Sequence, residues 1–328
     1  MSILQSTQLL DQLTTSIDAS GWRYLLVQNR KPFRFRLFKD DESGFLDVRI
    51  YIWNCTHGGG AARATNEYRV QLTGVVPNIA QNETTILLGW HDGYQVFVAF
   101  DMNRHNGQNS QSPSIQIKEE TLQAAHRRAF AIYFRQNGEI AVAFRPEFLV
   151  EYILASTELH KTGIATADLS ILNDLESVTD EQVVSLQSQE RQMVVSQIVR
   201  KYRAADFRKR VLGAYGHRCA VCGVQLQLID AAHIIPVAVS TSTDETINGV
   251  ALCKLHHAAY DRNLISFDEQ YRIQVSHSEV VRLSNLNLVG GIQDFQRGLK
   301  SVLILPFDRR DYPNPVYIRE SRSVRRWT

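Results

Sequence analysis

The chain has 328 residues, 44% of them hydrophobic, which is ample for two independent cores, and its net charge of +2 announces neither a nucleic-acid binder nor an acidic tail. No run approaches the ~20 apolar residues that cross a bilayer. The opening MSILQSTQLLDQLTTSI has no basic start, long apolar run or small-residue cleavage site, so a cytoplasmic protein without a membrane partner is expected.

SILQSTQLLDQLTTSI places apolar residues at helical spacing and predicts an opening amphipathic helix. FRFRLF from Phe33 alternates apolar and basic residues, and LDVRIYIWN and EYRVQLTG alternate as well, so three strands are expected. TTILLGW and YQVFVAF flank His91, Asp92 and Gly93 as a hairpin, and IYFRQNGEIAVAF makes another around Asn137 and Gly138. A helix from Glu119 to about Ala129 and one starting at Pro146 complete an α+β set. Its sheet is expected to be mainly antiparallel, with a pseudo-barrel as one form it can take, over residues 1–158.

Four features of this region have the composition to meet a ligand. Thr56 to Gly60, THGGG, brings glycines between two strands. Arg34 and Arg36 share one sheet face and suit a DNA backbone. Trp53, Trp90 and Tyr94 offer faces for an extruded base. Residues 101–114 form a polar loop. Each also has a plainer reading, as flexible loop, solvated face or core aromatic.

Residues 159–200 read as a helical connector in which Thr179 and Gln182 fit a capping box. Val183, Leu186, Val194, Ile198 and Tyr202 line one helix face, which suits packing within the chain or against a second copy in a homodimer. The charge is unevenly spread. Acidic residues gather between Asp174 and Glu190, whereas Arg200 to Arg218 and Arg319 to Arg326 are basic, with Arg208, Lys209 and Arg210 placed to hold phosphates.

Residues 201–328 carry the densest chemistry. Cys219 and Cys222 form a Cys-x-x-Cys knuckle, and Cys253 and His256 repeat its spacing. Two such pairs surround one tetrahedral ion with three thiolates and an imidazole, a closed structural zinc site. The remaining cysteine, Cys55, reads as a small buried hydrophobe. Between the pairs, DAAHIIP is a strand presenting His233 before Pro236 ends it. Asn248 and Gly249 start the return strand VALC, and KLHHAAYDRN begins a helix. His257 and Asp261 stand four apart on that helix and share a face on which both can approach one cation. His256 and His257 diverge by about 100° and can serve two different ions.

Histidine on the first strand, asparagine on the loop and histidine on the helix resemble the HNH endonuclease family with its ββα-metal fold. The CxxC ahead and CxxHH after are similar to the branch found in prokaryotic restriction and modification-dependent nucleases. The resemblance implies that His233 is the general base, that Asn248 braces the loop, and that His257 holds a catalytic divalent ion such as Mg²⁺ or Mn²⁺. Many members place a second ligand just before the base, where this chain has Ala232. Asp230 and Asp261 are the two candidates to replace it. The N-terminal region matches no motif, but its position resembles that of base-reading domains set ahead of the nuclease in restriction enzymes.

The implied function is a metal-dependent endonuclease that cuts double-stranded DNA, in a restriction setting and with dependence on modified bases as an option. Two other readings stand beside it. One is a zinc-stabilised DNA-binding protein whose centre has decayed through Ala232, and the other is a defence nuclease switched on by a small ligand. Plasmid nicking by the parent and by His233→Ala separates the first two.

Overall fold

The computed structural model describes residues 3–39, 44–58, 64–107 and 113–327. Gly59 and Gly60 of the glycine loop and residues 108–112 of the polar loop lie outside them. The chain divides into two units, Met1–Tyr202 and Arg203–Thr328.

In unit 1, α1 (Ser6–Ala19) buries Leu9, Leu13 and Ile17, the i, i+4 stripe read from its sequence. The strands are β1 (Arg23–Gln28), β2 (Phe33–Phe38), β3 (Phe45–His57), β4 (Glu67–Gln71), β5 (Thr84–His91) and β6 (Val96–Phe100). After the short α2 (Met102–His105) come β7 (Ser114–Lys118), α3 (Glu119–Arg128), β8 (Phe130–Phe134) and β9 (Ile140–Phe144). Helices α4 (Leu149–His160), α5 (Asp180–Val184) and α6 (Gln189–Ala214) follow.

The strand order is β1-β2-β3-β5-β6-β9-β8, and β4 bridges β3 to β7 off that path. Every pair is antiparallel except β3 with β5. The path has two edges, β1 and β8, so among the described strands the sheet is open and does not close into a barrel. Both faces are covered. Ile50 and Ile52 point into a core shared with α1 and α4, while Tyr51, Trp53 and Cys55 point into a second core with β4, β7 and α3. Two-sided burial is why the middle of β3, Ile50 to Trp53, is apolar at every position.

The aromatics proposed to stack on a base are otherwise engaged. Trp90 is fully buried against Phe97. Trp53 donates its indole N–H to the Thr73 carbonyl at 2.9 Å and lies under the Lys31 ammonium. Tyr94 stacks on His91 and donates its hydroxyl to Glu119 at 2.7 Å. On the outer face, Arg34 pairs with Glu83 and Arg36 with Asp47. Cys55 is buried.

Ahead of α5 the capping box forms: Gln182 N–H donates to Thr179 Oγ1 at 3.3 Å and Thr179 N–H to Gln182 Oε1 at 2.9 Å. The division between units falls inside α6. Val194, Val195, Ile198 and Val199 belong to the core of unit 1, and Phe207, Val211 and Leu212 to that of unit 2.

Unit 2 opens its antiparallel pair with β10 (Ile229–His233) and β11 (Gly249–Cys253), followed by α7 (Lys254–Asp261), the strand, strand, helix order read from the sequence. The later strands β12 (Ile265–Phe267) and β13 (Ile273–Val275), each three residues long, pair with each other as a separate antiparallel ribbon. Helices α8 (His277–Asn285), α9 (Ile292–Arg297) and α10 (Pro315–Val324) complete the unit. The terminal basic run is largely committed to packing. Arg319 pairs with Glu269, Arg322 donates to Gln274, and Arg325 lies over Tyr260 while donating to its carbonyl.

Candidate metal and nuclease centre

The cysteine knuckle is shaped by its backbone. Gly223 N–H donates to the Cys219 carbonyl at 2.8 Å and Cys219 N–H to the Val224 carbonyl at 2.9 Å, with Gly223 at φ +83°, where a side chain is strained. Ala220 N–H donates to the Ala251 carbonyl at 2.8 Å and so ties the knuckle to β11, which ends on Cys253. One turn into α7, His256 turns inward, its Nδ1 3.2 Å from Cys253 Sγ and 3.5 Å from Cys219 Sγ. The donor atoms of Cys219, Cys222, Cys253 and His256 all lie within 4.8 Å of one another. A tetrahedron of thiolates at ~2.3 Å from zinc has edges of about 3.8 Å, so donors that all lie within 4.8 Å of one another need only small shifts to hold the ion. Burial opposes ionisation at Cys219, yet the His256 ring and backbone N–H donors bring its pKa down to about 6, while burial and the adjacent Cys219 push Cys222 up to about 12. A bound cation removes this mutual penalty. Among the described residues, no other group of three or more His, Cys, Asp or Glu side chains gathers in this way.

His233 ends β10, opposite Gly249 of β11. That partner must be glycine, since a Cβ there would stand 2.3 Å from Val211 Cγ2 and 3.0 Å from Phe207 Cζ, blocking the approach of α6. Through this opening the Phe207 ring stacks on the His233 imidazole at 3.8 Å and 14°. His233 Nε2 lies 3.0 Å from Asp244 Oδ1.

Asn248 is completely buried and ties three segments. Its Oδ1 accepts from Ile235 N–H at 2.9 Å, its amide donates to the Thr243 carbonyl at 2.7 Å, and its own carbonyl accepts from Ile234 N–H at 2.8 Å. Asn248→Ala strands a buried donor and a buried acceptor, each worth about 1–3 kcal/mol. The expected loss of unfolding free energy is about 2–4 kcal/mol, read from urea denaturation of the full chain, and a change under about 0.5 kcal/mol contradicts the bracing role.

His257 and Asp261 form a pair on α7, Nε2 to Oδ2 3.5 Å, with the Asp261 side chain 59% exposed and Arg325 standing 3.8 Å away. Two donors with open neighbouring space suit a divalent ion that keeps several waters and binds phosphate oxygens. Asp230 has a different position. It accepts from Arg208 at 2.9 Å and from Lys254 at 2.8 Å, and its odd spacing from His233 puts it on the opposite face of β10. Burial raises its pKa, but Lys254 and Arg208 outweigh that and hold the carboxyl below the usual range. Arg210 donates to Asp206, to Thr246 Oγ1 and to the Asp244 carbonyl, so its fork is occupied by the loop, whereas Lys209 is exposed on α6. The reading of the residues had singled out neither Phe207 nor Asp244. Nothing in STSTDET marks its aspartate as the one that meets the imidazole.

Residues 219–268 match the family model described as HNH endonuclease. This segment is an HNH endonuclease domain. Residues 46–153 match a model described as Methylase-associated X1. No curated protein matches the chain. A solved structure titled "Modification dependent TagI restriction endonuclease" aligns over 86% of this chain and 81% of that one, at 12% identity and a TM-score of 0.29. The matched segment contains the Cys219, Cys222, Cys253 and His256 cluster, His233, Asn248 and the His257–Asp261 pair.

Proposed function

We propose that the chain is a metal-dependent restriction endonuclease that hydrolyses double-stranded DNA, with His233 as general base. The observation that carries it is the placement of His233 at the end of β10, its ring fixed by Phe207 and Asp244, within a segment that matches the HNH model. Among the described residues no group occupies His233 Nδ1, and an imidazole lone pair accepts a proton at neutral pH. The water proton passes to that nitrogen, the water oxygen bonds to phosphorus, and the bond from phosphorus to the 3′ oxygen breaks, leaving 5′-phosphate and 3′-hydroxyl ends. When bound by His257 and Asp261, Mg²⁺ or Mn²⁺ supplies charge neutralisation at the scissile phosphate and the leaving oxygen. Asp230, held by two cations, stands apart from this pair in the proposal. The zinc cluster is a staple: its four protein donors leave no position for substrate.

Residues 1–158 serve as the specificity region, 159–200 as connector and 201–328 as nuclease in this proposal. A methylase-associated family over residues 46–153 suits a partner of DNA modification, which favours modified bases as the signal read. One centre cuts one strand, so a homodimer supplies the second cut. Ala232, buried where many HNH domains place a ligand, favours the second reading, a DNA-binding protein with a spent centre.

The test is digestion of matched DNA with and without cytosine modification, in Mg²⁺ or Mn²⁺. Cleavage confined to modified DNA is the expected outcome. Equal cleavage of both removes the modification requirement, and tight binding without cleavage of either supports the spent-centre reading.

A further inference from the structure

We infer that Asp244 is the positioning residue of the nuclease centre, the group that fixes which ring nitrogen of His233 carries the proton. This rests on the reading of His233 as general base. A carboxylate only accepts, so the 3.0 Å contact between Asp244 Oδ1 and His233 Nε2 places the ring proton on Nε2. The lone pair is then on Nδ1, the nitrogen that makes no hydrogen bond with a described residue. Phe207 covers one ring face at 3.8 Å and removes the freedom to tilt away from this line.

The carboxylate does not sit on a loose turn. Arg210 of α6 donates to the Asp244 carbonyl at 2.6 Å and to Thr246 Oγ1 at 2.7 Å, and is itself held by Asp206 at 2.7 Å. Asn248 holds the Thr243 carbonyl at 2.7 Å, Ser242 Oγ donates to the Ile235 carbonyl at 2.9 Å, and Tyr317 of α10 donates to Glu245 at 2.9 Å. The loop is therefore tied on both sides of Asp244 to α6, to α10 and to the segment after β10. Its charged neighbours are Arg210, Asp206 and Glu245. Held in this way, the carboxylate also faces the positive charge that appears on the imidazole once Nδ1 has taken the water proton, and stabilises the state formed during reaction more than the resting one. With 40% of the Asp244 side chain exposed, solvent screens that attraction, so the expected effect is smaller than for a buried carboxylate.

The test uses the full chain. Histidine ring nitrogen chemical shifts of the parent are expected to show the neutral His233 ring protonated on Nε2, and a ring protonated on Nδ1 overturns the assignment without any variant. Asp244→Asn offers an amide donor to Nε2 and is expected to shift the ring toward the other tautomer. Its kcat is expected to fall roughly 10–100-fold with KM nearly unchanged. Asp244→Glu is expected to recover part of that loss, which a purely structural role would not give. In the His233→Ala background, Asp244→Asn is expected to cost nothing further. An inactive His233→Ala beside an Asp244→Asn with parental kcat rejects Asp244 and spares the base. A His233→Ala that still cuts DNA rejects the base and the inference together.

Discussion

Stripping zinc from the protein is expected to unfold residues 203–328. The donors Cys219, Cys222, Cys253 and His256 come from the knuckle, the end of β11 and the first turn of α7, so one ion fastens three elements that otherwise share the apolar core of the unit and the Ala220 to Ala251 hydrogen bond. Structural zinc contributes roughly 10–16 kcal/mol of binding free energy in small zinc modules, which is as large as the whole ~5–15 kcal/mol stability of an ordinary domain. Losing the ion also leaves three crowded sulfurs, of which burial and the neighbouring Cys219 push the pKa of Cys222 up to about 12. Cys222→Ser is expected to bring the zinc content from stoichiometric to near zero and to remove the cooperative melting of unit 2. A strong chelator acting on the parent is expected to do the same, reversed by added zinc. A zinc-free protein that keeps its helical signal and its melting transition shows that the cluster is not what holds the unit.

How much of this was legible follows from how local each signal is. The cysteine and histidine pairs were readable because both halves of the cage are short-range motifs, and β10, β11 and α7 because proline, glycine and helical spacing punctuate them. The capping box of Thr179 and Gln182 was readable for the same reason. Strand β1 was not. RYLLVQ exposes Leu25, Leu26 and Val27 in succession at the sheet edge, so neither face is buried there and the alternation that marks a half-buried strand is missing. The parallel pairing of β3 with β5 escaped for another reason, since two-sided burial gives an apolar run that does not tell direction. Asp230 invited a metal role by its distance from Ala232, but Arg208 lies 22 residues away and Lys254 24, and only the fold brings them to it. Phe207 and Asp244 reach His233 from a helix and a loop by the same kind of long-range closure, Phe207 through the gap that Gly249 leaves.

His233→Ala is expected to lower the DNA cleavage rate by roughly 10³-fold, within the range general-base catalysis supplies, which converts to about 4 kcal/mol of barrier. The fold should survive it. The imidazole caps the end of β10 with its side chain 16% exposed, outside the core that packs around Val250 and Leu252, so its removal costs a stacking contact with Phe207 and one hydrogen bond, together about 1–2 kcal/mol. Zinc content and melting near parental values, with gel-shift affinity for DNA unchanged, then isolate the chemical step from binding and folding. Added imidazole is expected to restore part of the rate, because the vacated pocket lies between Phe207 and Asp244 and both contacts are available to a free ring. The same variant distinguishes His233 from His257, the other imidazole of the proposed centre. His257 is paired with Asp261 on α7, and if His233→Ala cut DNA at the parental rate while His257→Ala did not, the proton would be leaving through the helix and the strand histidine would be a structural cap.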